Sequence, residues 1–316
     1  MMALDAVSAY VPATRVPIEA MADRMGLSER QIRLFRRFHG LGDIALAPGM
    51  PLDELLLAAA RGLRELPDRR HQVRFVVYAR AMPVVVPYPD NPLHAVCRAL
   101  GLEHALTFTV TQQSCASGLL AIDLAGRLLA AETAGRPGDQ DDSFALVLTG
   151  EKTFTPHAQF IPGTSVFGEA AAACLISSTG KQDRVLSYAC AQRGEFDDNR
   201  RPENTSQFQQ EYRPELARVI RQAVREAGLD LGDIRLVLPH NVNVITWQRL
   251  CLLLGFPLDR VLLRNVAIHG HLFCADVFAN YQTARALGLL RPGDCYLAAA
   301  VGAGHGATFA AMVLQH

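Results

Sequence analysis

What this chain has little of narrows its function before any motif is read. It has no excess charge, with 31 Lys and Arg against 31 Asp and Glu over 316 residues. A nucleic-acid partner normally leaves a basic footprint, so none is expected. No unbroken apolar run approaches the ~20 residues of a membrane-crossing helix. The opening "MMALDAVSAYVPATRV" has no basic stretch ahead of an apolar one, so neither a membrane association nor a secretory leader is expected. The seven cysteines, at 97, 115, 174, 190, 251, 274 and 295, never fall in CxxC spacing. That speaks against a zinc ribbon or a disulfide framework and fits reduced thiols in a cytoplasm, with no metal expected. A GxGxxG fingerprint followed by a ribose-binding acid is also missing, so no nucleotide redox cofactor is implied.

What is present is a pattern that occurs twice. "PLDELLLAAARGLRELP" (51–67) has helical spacing of apolar positions, and the β-branched run "VRFVVYAR" (73–80) follows it. In the second half "PELARVIRQAVREAGLD" (214–230) and "IRLVLPH" (234–240) make the same pair. Short helices ending in Leu-Gly come next, "HAVCRALGL" (94–102) and "WQRLCLLLGF" (247–256). Each half then runs through a strand, a turn and a small-residue helix, at 106–129 and 261–284, and closes on apolar strands. This periodicity predicts an α/β chain built as two similar halves. Runs such as "FALVLTG" and "AAAACLIS" are apolar on both faces, as sheets covered on both sides require. The polar stretch 181–213 reads as the crossing between halves, so the domains are taken as 1–180 and 181–316.

In "TQQSCASGLL" a cysteine, Cys115, sits where a strand gives way to a helix. A helix N-terminus offers free N–H groups and a favourable dipole to a thiolate, and this predicts a lowered pKa and a reactive thiol. Small neighbours would let a substrate carbonyl approach. Free cysteine is more often a small buried hydrophobe, and only the strand-turn-helix position sets Cys115 apart from the other six. Acyl chemistry also needs a base and an oxyanion site. His240 ends "IRLVLPH", and His271 lies in "AIHGHLFCAD" at the turn matching Cys115 by repeat position, with His269 on the strand side. In "AAAVGAGHGATF" the glycines 302, 304 and 306 alternate after a strand; they suit N–H donation to an oxyanion, or a tight turn.

These residues resemble the thiolase superfamily, and within it the β-ketoacyl-acyl-carrier-protein synthase III type. The likeness rests on "QQSCASGLLAIDLA", "FGEAAAACLIS", "LPHNVN", "NVAIHGHLFCAD" and "GAGHGATFAAMVL" and runs through nearly the whole chain. It implies a duplicated five-layer αβαβα sandwich and a homodimer. It implies that Cys115 takes an acyl group from a thioester, that His240 hydrogen-bonds the second substrate's carbonyl with Asn243 in the same motif, and that the N–H groups of Cys115 and Gly304 form the oxyanion hole. It also implies substrates carried on coenzyme A or a phosphopantetheinyl acyl carrier protein, with no bound cofactor. Where synthase III relatives have glycine-asparagine, this chain has Gly270-His271, so the expected triad is Cys-His-His. Such a set suits decarboxylative Claisen condensation in a specialised polyketide or other secondary pathway. Altered triads also occur in relatives that transfer acyl groups to an alcohol or amine. Arg33, Arg36 and Arg37 in "RQIRLFRRF" are candidates for the pantetheine phosphate, or simply a solvated helix face.

Overall fold

The computed structural model describes residues 2–134, 143–180, 182–196, 202–304 and 306–316. Nine strands form one mixed sheet: β1 (Ala3–Tyr10), β2 (Val73–Ala79), β3 (Leu106–Val110), β4 (Phe144–Glu151), β5 (Ala170–Ser177), β6 (Arg184–Arg193), β7 (Ile234–Pro239), β8 (Cys295–Ala303) and β9 (Ala307–Gln315). Their order is β7-β8-β9-β6-β1-β5-β4-β2-β3. In the first half β3 and β4 flank β2 in parallel, and β5 and β1 follow antiparallel. The second half repeats this with β7 parallel to β8, then β9 and β6 antiparallel. The two half-sheets join at a single register pair, Ala3 with Arg184.

The strands read as continuous apolar runs because both of their faces are buried. Alternate side chains of β4 point opposite ways. Phe144, Leu146 and Leu148 pack under α1 (Leu52–Ala60) and α2 (Pro92–Leu100). Ala145 and Val147 face α3 (Ser117–Ala134) and α6 (Asp276–Ala286), whose other side meets Leu236, Ala298 and Met312 of the second half-sheet. On the far face α4 (Pro202–Glu226) and α5 (Val244–Leu254) cover Val237, Leu297, Ala299 and Phe309. Helix, sheet, helix, sheet, helix: the five expected layers are present. Small residues such as Ala121, Ala125, Ala172, Ala279 and Ala310 let the middle pair of helices sit between two sheets.

Two sequence expectations need correction. The stretch 181–213 is not a surface crossing, because it holds β6, which lies between β9 and β1, and the first half of α4. Its outer residues are polar because β6 is only half-buried. The second-half strand expected near 261 shrinks to one parallel bridge between Val237 and Val261, followed by the short helix Arg264–His269. The segment Ser114–Glu132 has the length and mean hydropathy of a membrane-crossing helix, but Asp123 and Arg127 interrupt it and it is mostly buried as part of the central layer.

Candidate active site

Cys115 lies in a tight 3-10 turn, Ser114–Ala116, two residues before α3 begins. Ser114 holds φ of 45°, a left-handed conformation that side chains rarely adopt. The turn rests on β8. A Cβ at Gly302 would stand 1.9 Å from the Gln113 carbonyl oxygen, so only glycine permits that contact. The second half carries the same construction in Phe273–Ala275, with Phe273 at φ 53°. The repeat counterpart of Cys115 is therefore Cys274 and not His271. The two turns pack back to back, and the Cys274 thiol donates to the Ser114 carbonyl at 3.2 Å.

The structure corrects the expectation of a ready thiolate. Cys115 is 7% exposed and clusters with Phe167 and Phe273, whose rings stack at 4.0 Å. Burial, reinforced by the Glu151 and Asp276 carboxylates, pushes the Cys115 thiol well up. Desolvation outweighs the helix dipole here. In the resting protein Cys115 is a thiol and needs a base.

His271 has the equipment of one. Gly270 turns the chain at φ 69°, where a Cβ would meet the Val166 carbonyl at 2.8 Å. The His271 backbone is then clamped by hydrogen bonds to Val166 and Gly168. Its ring stacks on Phe167 at 4.6 Å, beside Cys115's apolar wall. Its Nδ1 lies 2.5 Å from Asp276 Oδ2, and the same carboxylate accepts the backbone N–H groups of Asn241 and Leu272, both at 2.7 Å. With Nδ1–H given to Asp276, the lone pair sits on Nε2. Sequence reasoning missed Asp276. Its signal was the acid at the second elbow's end, in "FCAD", at the position that Ser117 holds in the first.

His240 stands 5.9 Å from His271 between ring centroids. It is fixed by its N–H donating to the Ala299 carbonyl and by the Trp247 indole N–H donating to its carbonyl. Burial and the neighbouring His271 hold its pKa at about 3, so the ring stays neutral. Its Nε2 lies 2.6 Å from the hydroxyl of Tyr212 on α4, a residue that sequence reasoning also missed. Asn243 caps α5: its Oδ1 accepts from the Thr246 N–H and its Nδ2 donates to the Thr164 carbonyl. It supports the turn after His240. The Gly304 N–H donates to the Gly306 carbonyl at 3.2 Å, closing its own turn. His269 lies apart from this group with Arg15 donating to its Nδ1, and burial lowers it to about 4.

A groove of about 260 Å³ comes as far as Tyr212 and Asn243, beside His240, and is lined also by His39, Phe208, Arg213 and Arg249. The arginines expected at a phosphate are placed otherwise. Arg36 grips Glu19 with two hydrogen bonds and Arg33 pairs with Glu29, both on exposed surface, while Arg37 is exposed on the same helix. A larger hollow of about 340 Å³, beside Arg80 and Pro92, touches neither Tyr212 nor Asn243.

The depressed histidines make stability depend on pH. Between pH 4 and 6.5 the unfolded chain binds protons that folded His240 and His269 refuse. The two histidines' contribution to stability is therefore full above about 6.5 and falls on acidification through that window, partly offset by Glu151, whose carboxyl burial raises to about 7. The melting temperature should drop from pH 7 to pH 4, and less steeply in His240→Gln. An equal slope in the variant would contradict the buried neutral ring.

Comparison with known proteins agrees with this architecture. Residues 224–316 match the family described as 3-Oxoacyl-[acyl-carrier-protein (ACP)] synthase III C terminal. A beta-ketoacyl-[acyl-carrier-protein] synthase III of Sphingopyxis alaskensis is 27% identical over 99% of this chain and 98% of its own. The synthase III of Rhodobacter capsulatus is 33% identical over a segment spanning 28% of this chain and only 27% of that protein. Among solved structures, the acyltransferase ChlB3 superposes with TM-score 0.84 at 20% identity, covering 99% of this chain and 97% of that one. The synthase III of Aquifex aeolicus superposes at 0.80 and 17%, over the full length of both chains. Over its full length the chain is similar to ketoacyl synthase III proteins of the thiolase fold, and its C-terminal part, residues 224–316, matches their family model.

Proposed function

We propose that this protein joins two acyl thioesters by decarboxylative Claisen condensation through an acyl-Cys115 intermediate. One observation carries the reading: a base oriented by a buried carboxylate, His271 on Asp276, stands beside a second imidazole that burial keeps neutral. In the first half-reaction the Cys115 thiol gives its proton to His271 Nε2 as sulfur attacks the incoming thioester. The carrier thiol leaves with that proton, and the acyl group stays on Cys115. In the second, a malonyl-type thioester loses carbon dioxide and its bonding electron pair moves onto the thioester carbonyl as an enolate. Hydrogen-bond donors near His240 stabilise that oxygen. The enolate carbon then attacks the acyl-Cys115 carbonyl, and the released thiolate takes a proton from water, since the one it gave up left with the carrier thiol.

The groove suits a phosphopantetheine arm of coenzyme A or an acyl carrier protein, and Arg213 and Arg249 are positioned along it for the phosphate. A specialised pathway, a homodimer, a cytoplasmic setting and a division of the halves near residue 180 belong to the same reading. The changed triad, with His271 where the relatives have asparagine, favours a specialised over a housekeeping role. Transfer of the acyl group to an alcohol or amine is the second reading. The Asp276–His271 pair favours it, because a carboxylate-oriented imidazole is also how acyl-transfer enzymes deprotonate an acceptor.

The test is intact-protein mass after exposure to acyl and malonyl thioesters, with carbon dioxide followed in parallel. The wild type should gain an acyl mass and release carbon dioxide, and Cys115→Ala should gain no mass. Acylation without carbon dioxide would select acyl transfer. A mass gain in Cys115→Ala would remove Cys115 from the chemistry.

A further inference from the structure

Tyr212 lies outside every motif that led to the site, yet it lines the groove while His240 is sealed behind it. The histidine's Nε2 faces the phenol oxygen at 2.6 Å, and its Nδ1 is buried with no hydrogen-bond partner. A neutral ring carries one proton. On Nδ1 that proton would make a buried donor with nothing to receive it, the costlier kind of orphan; on Nε2 it leaves only a bare lone pair there. The tautomer that satisfies the site puts the proton on Nε2, donating to Tyr212 Oη. The phenol's own O–H is then left over. Among the described residues His240 is the one hydrogen-bond partner of that hydroxyl.

We propose that Tyr212 is a catalytic residue whose hydroxyl gives the hydrogen bond to the substrate's thioester carbonyl, with His240 a positioning residue that acts through it. The inference rests on the reading that a thioester enters this groove. It reassigns a contact that the resemblance gives to His240 directly. The chain Nε2–H to Oη, then O–H to the carbonyl oxygen, transfers no proton. The hydroxyl donates and keeps its hydrogen while charge grows on the carbonyl oxygen. Burial suits it to that task, because it pushes the phenol's pKa up and so keeps the proton on the ring oxygen. Two donors in series also polarise one another, which strengthens the terminal bond.

The probe is malonyl-coenzyme A labelled with carbon-13 at the thioester carbonyl, bound to Cys115→Ala and to Cys115→Ala/Tyr212→Phe and read by isotope-edited infrared. In the first protein the carbonyl stretch should fall below its position in water, and the Phe substitution should return it to that position or above. In the Cys115 background, Tyr212→Phe should slow carbon dioxide release about 100-fold, as loss of one oxyanion donor does. Tyr212→Phe/His240→Ala should lose no more than Tyr212→Phe alone, since the histidine works through the phenol. Melting curves separate these effects from misfolding. An unshifted carbonyl in the first protein, an identical stretch in both, or multiplicative losses in the double variant would overturn the assignment. A wild type that shifts the carbonyl but releases no carbon dioxide would overturn condensation while leaving Tyr212 in place.

Discussion

Asp276→Asn should lower the rate of Cys115 acylation by about 10³- to 10⁴-fold, the scale of such a change in other carboxylate-oriented imidazoles. The reason lies in the tautomer. As a carboxylate, Asp276 can only accept, so it draws Nδ1–H of His271 towards itself and leaves Nε2 free to take the thiol proton. An amide of the same shape keeps one oxygen, which the N–H groups of Asn241 and Leu272 also need. Its NH2 then faces His271 Nδ1, moves the ring proton to Nε2, and removes the base. Since the Cys115 thiol is pushed up by burial, little thiolate exists without that base. Stability should fall by only about 1–3 kcal/mol, the cost of one unsatisfied buried group, so the variant should fold. Single-turnover acylation measured by mass checks this, and a loss under tenfold would show that His271 is not the base.

Gly302→Ala should cost the nucleophile's scaffold rather than its chemistry. The added methyl would meet the Gln113 carbonyl carbon at 2.8 Å and Ser114 Cβ at 2.9 Å, besides the oxygen it overlaps outright. None of these is the loose end of a side chain. Either β8 or the turn carrying Cys115 must shift, and the turn already holds Ser114 in the left-handed region. A destabilisation of about 3 kcal/mol is expected, at the upper end for overpacking, with Cys115 acylation reduced at least 100-fold in whatever stays folded, because small misplacements at a reacting centre have that effect. Denaturant melts and mass spectrometry measure the two parts separately. Full acylation in a stable Gly302→Ala protein would show that the turn is more compliant than its contacts imply.

The duplicated α/β pattern was legible in the chain because both faces of each inner strand are buried, and burial on both faces leaves no polar alternation to misread. Cys115 was singled out by its strand-turn-helix position and His240 by ending an apolar run, whereas His271 was singled out by a repeat match to Cys115 that belongs to Cys274. What escaped has a common cause. Tyr212 and β6 lie in a stretch made polar by its solvent-facing side, so composition spoke for the exposed half and hid the buried one. Asp276 escaped because its partners, Asn241 and Leu272, come from two separate segments that only the folded sheet brings together. The thiol's pKa escaped for a different reason: a helix terminus can be read from sequence, whereas the depth at which it is buried cannot. The arginine cluster shows the opposite error, a suggestive run whose members Arg33 and Arg36 are engaged by Glu29 and Glu19 on open surface.

The paired turns at Cys115 and Cys274 show how a duplicated chain can become unequal without losing its symmetry. One copy sets its sulfur against Phe167 and Phe273; the other turns its sulfur inward, onto the backbone of the first. The mute thiol is thereby part of the footing on which the working one stands. If Cys115 is the nucleophile proposed above, a change at Cys274 would reach it through the Ser114 carbonyl, so the two turns are constrained together.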